Sequence, residues 1–522
     1  MAKPASSLRK NIISTMLRTL ICFVLLRLCS STRNSFFNID LSSQTLNPVT
    51  EGFRITGSSG NDYFGFSVRT VGDINNDGFD DMIIGTPFKT NYHGIAYVIY
   101  GGEESSFLNI DLSTTTLNPQ TTGFTITGNA AGNYFGYSVS TSGDVNNDGY
   151  DDIIIGADYK GAAYVVYGGD KSSMSNIDLS TTVLDPLTTG FMITGNSLSD
   201  YFGVSVSTAG DINGDGYDDI IIGAFYKDSQ KGAAYVIYGG AKSSTSNIDL
   251  TTQTLDPHST GFLITGNAAN DHFGWSVSAA GDTNKDGYSD IIVGANLKST
   301  AYVIYGGEKS TMSNIDLSTQ TLDPQSTGFV ITGNAGDNLG YSVRTAGDMN
   351  RDGYDDLIVG AHGTSSSRGA AYVIYGAKKS SMSNLVLSTT PLDPLNTGFM
   401  IIGDAANDFL GFSVCTAGDI NNDGYGDVVI GAHGKNSVYV LYGGPKSSMP
   451  NIDLSMTSLD SANKGFMIAG NAVGDNFGWS VSTAGDINND GYSDIIVGAA
   501  YKNNKQGAAY VIYGDILFLF TQ

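Results

Sequence analysis

Positive charge is scarce in this chain: 27 lysines and arginines stand against 51 aspartates and glutamates, a net charge of −24. So acidic a protein offers no basic face to a nucleic acid and is repelled by an anionic lipid surface. Cysteine is scarcer still. Cys22 and Cys29 lie near the N-terminus, which leaves Cys415 alone in the body and excludes an internal disulfide there. Cys415 stands where most other copies of its segment carry serine and reads as a packed small residue. No apolar run reaches the roughly 20 residues of a membrane span, and the stretch from Ile516 to Phe520 is far too short. No Asn-x-Ser/Thr sequence occurs, so N-glycans are not expected. The chain also lacks a nucleophile elbow, a Cys–His pair and a phosphate loop. Its five histidines, His93, His258, His272, His362 and His433, show no metal-ligand spacing. These absences argue for binding rather than catalysis.

The first residues read as a targeting segment. Lys3, Arg9, Lys10 and Arg18 precede an apolar run from Leu20 to Leu26, followed by Ser30 and Ser31. Basic, apolar and small in that order is the pattern of a signal peptide, placed at 1–31, with one domain from 32 to 522. The expected location is secreted or cell-surface.

What is abundant is glycine, 67 residues without a collagen period, together with a repeat. A word of acidic residues begins at Asp73, Asp144, Asp211, Asp282, Asp348, Asp419 and Asp486, spaced 71, 67, 71, 66, 71 and 67 residues apart. Each copy holds four short runs rich in β-branched and aromatic residues. In the second copy these are the segments starting at Gly123, Phe135, Asp152 and Ala163, bounded by Gly, Asn or Asp as strands are. Four strands in each of seven copies predict an all-β, seven-bladed propeller of four-stranded antiparallel blades. The phase of the repeat predicts its closure: an isolated Gly52-Phe-Arg-Ile-Thr-Gly57 precedes the first copy, and the last copy lacks that strand. The N-terminal strand should therefore complete the last blade.

The recurring word is Asp-x-Asn-x-Asp-Gly-x-x-Asp in every copy. Its oxygen-bearing side chains are Asp73, Asn75, Asp77 and Asp81; Asp144, Asn146, Asp148 and Asp152; Asp211, Asn213, Asp215 and Asp219; Asp282, Asn284, Asp286 and Asp290; Asp348, Asn350, Asp352 and Asp356; Asp419, Asn421, Asp423 and Asp427; and Asp486, Asn488, Asp490 and Asp494. Calcium takes six to eight oxygen ligands, and alternate positions one, three and five supply them, with glycine at six for the sharp turn. The carbonyl of position seven and the carboxylate of position nine complete the set. An EF-hand would need Glu at position twelve, where this chain has Ile84, Ile155, Ile222, Val293, Val359, Ile430 and Val497. The site is thus expected to join strand to strand. Asp, Asn and Gly also make good turns, but seven matched copies point to metal. About seven Ca²⁺ ions would bring fourteen positive charges and take −24 to −10, with affinities on the order of 10⁻⁴ to 10⁻³ M as in extracellular modules.

Phe64-Gly65, Phe135-Gly136, Phe202-Gly203, Phe273-Gly274 and Phe477-Gly478 precede the loops, and Gly156-Ala157, Gly223-Ala224, Gly294-Ala295, Gly360-Ala361, Gly431-Ala432 and Gly498-Ala499 follow them. Over about residues 38 to 514 the chain resembles the FG-GAP repeat of integrin α-chain propellers and their relatives. It departs at Leu339-Gly340, Leu410-Gly411 and Gly85-Thr86-Pro87. It also keeps all seven calcium words, and it shows no cysteine-bearing stalk or membrane span, so it is integrin-like and not an integrin subunit proper. The resemblance implies an adhesion or protein-interaction module, with a glycan-binding lectin as the alternative and the non-catalytic part of a polysaccharide- or lipid-acting enzyme as a third reading.

In an antiparallel meander the calcium loops and the long Asn-Ile-Asp-Leu connections share one face, and the remaining loops share the other. That opposite face carries Phe88, Lys89, His93, Tyr159, Lys160, Tyr226, Lys227, Lys298, His362, Arg368, His433, Lys435, Tyr501 and Lys502. It is the expected docking face for an extracellular protein or glycan. Solvated loop lysines are the simpler account of its charge, since Lys171, Lys242 and Lys309 fall on the other face.

Overall fold

A computed structural model describes residues 38–514. The signal-peptide segment and the apolar end from Ile516 lie outside these residues. The described chain forms seven sheets arranged as the blades of a propeller. In the first blade the strands run Ser67–Gly72, Asp81–Thr86, Ile95–Ile99 and Gly123–Thr127 from the axis outward. The second strand of every blade is buried along its whole length, as at Asp152–Ala157. Its continuous apolar run has neighbouring blades on both faces, and burying a Val or Ile side chain stabilises the fold by about 1.5–3 kcal/mol.

Close approach between blades explains the recurring glycines. A Cβ on Gly85 would lie 2.1 Å from the carbonyl oxygen of Gly136 in the next blade. The Phe of each Phe-Gly pair packs against another recurring glycine: a Cβ on Gly128 would lie 2.7 Å from Phe135 Cβ. Phe64, Phe135, Phe202, Phe273 and Phe477 are essentially unexposed, and Leu339 and Leu410 take the same buried place in the two variant blades.

The expectation of four strands per blade needs correction. Each sheet has five, the fifth being a two-residue strand from the Asn-Ile-Asp-Leu connection of the following blade. Ile177–Asp178 pairs parallel with Gly123–Thr127, for example, through Ile177 to Ile126 and Asp178 to Thr127. The asparagine before it caps the same strand: the amide of Thr125 donates to Asn176 Oδ1 at 2.9 Å. A two-residue strand has too little periodicity to be read from sequence. Its pairing stitches every blade to its neighbour.

At the ring's closure, Gly52–Thr56 pairs antiparallel with Ala508–Ile512, and Ile110–Asp111 adds to its far edge. Ile39–Asp40 pairs parallel with Gly465–Ala469 of the sixth blade. The start of the described chain thus enters two blades.

The alternating repeat spacing has a structural cause. The connections between second and third strands are long in alternate blades (87–94, 225–232, 362–369, 500–507) and short in the others (158–161, 296–299, 433–436). Each long connection carries three consecutive residues with positive φ, such as Thr90, Asn91 and Tyr92 at 52°, 55° and 64°. Left-handed runs of non-glycine residues are costly and persist only where packing holds them.

Candidate metal centre

The seven acidic loops all lie at the ends of the inner strands, on one face. In the first, the amides of Asp77 and Gly78 donate to Asp73 Oδ1 and Oδ2 at 3.0 and 2.8 Å. Gly78 has φ +90°, a conformation that L side chains rarely adopt. The amide of Phe79 donates to Asp77 Oδ1 at 3.2 Å. Asp81 forms the floor: it is fully buried, its Oδ2 accepts from Ile74 N and Asn75 Nδ2, and its Oδ1 from Gly101 N. The other six loops repeat this frame, with the sixth and seventh differing at the asparagine.

The floor carboxylates sit in an uncomfortable place. Burial, chiefly, and then the neighbouring loop aspartates push Asp219, Asp356 and Asp427 up to about 8, while amide donors pull the other way. Burial likewise pushes Asp290 up to about 7. Beside them the side-chain oxygens of Asn75, Asn146, Asn213, Asn284 and Asn350 are buried without a hydrogen-bond partner. A buried acceptor left unpaired costs about 1–3 kcal/mol, and a hard cation is the kind of group that satisfies it and the carboxylates together. The oxygen donor set therefore fits calcium. The arrangement is relaxed onto its own amides: among the described residues no three His, Cys, Asp or Glu side chains converge at ligating distance. In the sixth and seventh loops Asn421 and Asn488 accept from the amides of Asp423 and Asp490 instead.

Two partners of the loops escape a reading of sequence. The residue at position eight reaches back to the preceding blade, where Asp151 Oδ2 accepts from Asp73 N at 3.0 Å and Asp218 Oδ2 from Asp144 N at 3.0 Å. A lysine from the following blade's connection meets the position-five carboxylate in five loops: Lys171 with Asp77, Lys242 with Asp148, Lys309 with Asp215, Lys379 with Asp286 and Lys446 with Asp352. Each of these lysines also lies over a tyrosine ring, as Lys309 does over Tyr238 at 4.7 Å. Their recurring Lys-Ser-(Ser/Thr) setting was the available signal. In the first blade Glu104 takes the lysine's place and faces Asp490.

The opposite face differs from the expectation of solvated lysines. Lys89, Lys227, Lys298, Lys435 and Lys502 are each paired to an aspartate of the adjacent loop, namely Asp62, Asp200, Asp271, Asp404 and Asp475. Arg368 pairs with Asp453. These six cations are thus neutralised internally. What it presents is aromatic. A closed circuit of ring contacts runs from Tyr63 through Phe88, Tyr134, Tyr159, Tyr201 and Phe225 to Trp275, and returns through Tyr341, Phe412, Trp479 and Tyr501. On its outer side Tyr92, Tyr159 and Tyr226 are 43%, 49% and 40% exposed.

The structure also gathers three of the scattered histidines into this circuit. His362 meets Tyr341 and His433 meets Phe412, each at 4.3 Å, and His272 lies 4.9 Å from Phe225. Burial pulls His362 and His433 down to about 4, with His362 adding to the effect on His433. Cys415 is buried in a core cluster, 3.8 Å from Ser482 Oγ.

Comparison with known proteins follows the same repeats. The FG-GAP repeat model matches residues 64–99, 135–166, 202–237, 273–304, 339–374, 410–441 and 477–512, one match in each blade. The chain is 31% identical over 286 residues to integrin alpha pat-2 of Caenorhabditis elegans, covering 52% of this chain and 21% of that protein. It is 28% identical over 243 residues to integrin alpha-V of Gallus gallus, covering 45% and 20%. A phosphatidylinositol-glycan-specific phospholipase D of Dictyostelium discoideum is 28% identical over 357 residues, covering 63% and 35%. The chain therefore spans between a fifth and about a third of the length of these relatives.

Proposed function

The chain belongs with the FG-GAP repeat propellers of the integrin-α type, and from that premise we propose that it is a calcium-loaded extracellular adhesion or protein-interaction module. The observation that carries the reading is the exposed tyrosine arc on the face opposite the acidic loops. Tyr92 stacks on Tyr134 and Tyr134 on Tyr159, at 5.1 and 4.3 Å, so these rings are held in place before any partner arrives. Aromatic side chains give large contact areas at low entropic cost and are enriched in binding hot spots. The strained left-handed turn at Thr90–Tyr92 borders the arc.

Calcium belongs to the other face. The side chains at positions one, three, five and nine of each loop would hold it. Bound there, the ion supplies the positive charge that the acidic loops lack. It acts on structure, tightening the joints between blades and so the rim on which the tyrosines sit. Secretion or surface display fits this reading, because millimolar calcium is an extracellular condition for sites of such affinity.

A glycan is the second candidate ligand, favoured by the same tyrosines, since flat exposed rings also suit sugar faces. Catalysis has little support in the geometry, as the loop aspartates are engaged by amides and the clustered histidines are packed among aromatic rings. The likeness to a phospholipase D covers only 35% of that protein.

The test is binding of the calcium-saturated protein to arrays of extracellular proteins and of glycans, with Tyr159→Ala alongside. Saturable binding to one array, weakened at least tenfold by the substitution as for an interface hot spot, supports the reading. Binding that survives the substitution unchanged, or no saturable binding on either array, overturns it.

A further inference from the structure

The axis of the propeller holds a second kind of site. The inner strands share a Ser-Val-x segment whose third residue faces equivalent partners in every blade: Arg69 pairs with Ile83, Ser278 with Ile292 and Arg344 with Ile358. That residue is serine in four blades (Ser140, Ser207, Ser278, Ser482) and cysteine in one (Cys415). In the first and fifth it is arginine.

Both arginines line one axial cavity of about 190 Å³. Arg69 Nη1 donates to the carbonyls of Val68 and Val481, both at 2.9 Å. Arg344 Nη1 donates to those of Val343 and Val277 at 2.8 and 2.9 Å. Each guanidinium is thus pinned by its own strand and the preceding blade. The Arg69 Nε–H is buried with no acceptor.

No aspartate or glutamate lines the cavity, and among the described residues neither arginine is in an ion pair. Elsewhere among the described residues twelve lysine and arginine side chains pair with aspartates. Burial, and then Arg69, pull Arg344 down to about 9, while Cys415 opposes. Even so, both guanidiniums stay protonated at neutral pH. Two like charges enclosed without a counterion are costly, and planar guanidinium forks match the oxygens of an oxyanion.

Aromatic rings line the cavity. Phe66, Tyr341, Phe412 and Trp479 crowd it on the tyrosine face, with Phe412 and Trp479 centroids 4.8 Å apart. A cavity of about 190 Å³ suits a small ion with a few waters better than a bulky carboxylate-bearing partner.

We propose that the axial channel binds a small inorganic oxyanion, held between Arg69 and Arg344 with serine hydroxyls around it. The charges of the site come from this chain, and the proposal does not depend on how the outer faces are used.

The experiment is equilibrium dialysis of the whole calcium-saturated chain against radiolabelled sulfate, which unlike phosphate leaves millimolar calcium in solution, with ionic strength held by a bulky organic sulfonate salt. The expected result is saturable uptake of about one sulfate per chain, with affinity weakened on the order of tenfold or more in Arg344→Ser and abolished in the Arg69→Ser, Arg344→Ser double variant. Serine is what four blades already carry there, so both variants preserve the ring, which circular dichroism verifies. Absence of saturable uptake by the unaltered chain overturns the proposal, as does uptake that the double variant retains.

Discussion

The backbone amide of Asp486 donates to Asp80 Oδ2 at 2.8 Å, across 406 positions of sequence. The last acidic loop therefore leans on the first, and the same contact joins Asp73 to Asp151, Asp144 to Asp218 and Asp282 to Asp355. A serine, Ser493, does this for Asp419 at 3.2 Å. Acidic loops that looked like seven independent sites form a chain of contacts around one face.

Breaking one link should be felt by stability. Asp151→Ala removes the acceptor of the Asp73 amide and is expected to cost about 1.5–3 kcal/mol, the range for a hydrogen bond to a charged group. Asp151→Asn keeps an acceptor and should cost less. Urea midpoints at fixed calcium measure both, and equal midpoints for unaltered protein and Asp151→Ala would show the link to be idle.

Calcium removal should lower the melting temperature, and adding calcium back should restore it as about seven ions bind, because a ligand that binds only the folded state stabilises it. The loops should differ in affinity. Lys171 competes for Asp77, so Lys171→Met is expected to tighten the first loop a few-fold, within the range of a screened surface ion pair. Glu104→Lys should weaken the seventh loop, where Glu104 now faces Asp490. Calorimetric calcium titration separates the two effects, and unchanged isotherms in both variants would remove the lysines from the account.

The packed histidines predict acid sensitivity. His362 and His433 are pulled down to about 4 in the fold by burial, from 6.5. Between those values the unfolded chain binds more protons, so their contribution is fully present above about pH 6.5 and is lost as pH falls toward 4. Phe225 occupies the place of His362 in another blade, so the His362→Phe, His433→Phe variant should fit and should flatten the loss of melting temperature between pH 6.5 and 4. A profile as steep as that of the unaltered chain would assign the acid sensitivity elsewhere.

Closure should rest on Phe53. It is fully buried in the borrowed strand, stacked on Phe107 at 4.6 Å and tilted against Tyr513 at 6.3 Å. Phe53→Ala is expected to cost about 3–5 kcal/mol. Limited proteolysis should then release the N-terminal strand before the blades. Uniform cleavage, with a cost below about 1 kcal/mol, would mean that the ring holds without the clasp.

Much of the fold is legible in the sequence because its signals are local. Phe135, Tyr137 and Val139 alternate along one strand, Ile153–Ile155 runs unbroken along the next, and Asp144 to Asp152 fall within one loop. The aromatic circuit was only half visible. Tyr159 and Tyr226 were evident on their loops, but Trp275 and Trp479 belong to strands and join the circuit only when the ring is closed. Lys89 was read as a solvated cation because its partner, Asp62, lies 27 residues away in sequence and beside it in space.

The sequence by itself determined the number of blades, the order of strands, the seven loops and the face opposite them, since each depends on residue types within a few positions of one another. Only the tertiary structure decided what the borrowed Ile177–Asp178 strand pairs with, which lysines are neutralised, and that Arg69 and Arg344 share one cavity. The physical reason is distance along the chain. These contacts join residues dozens to hundreds of positions apart, and their energies depend on burial and charge that arise only when the ring is assembled.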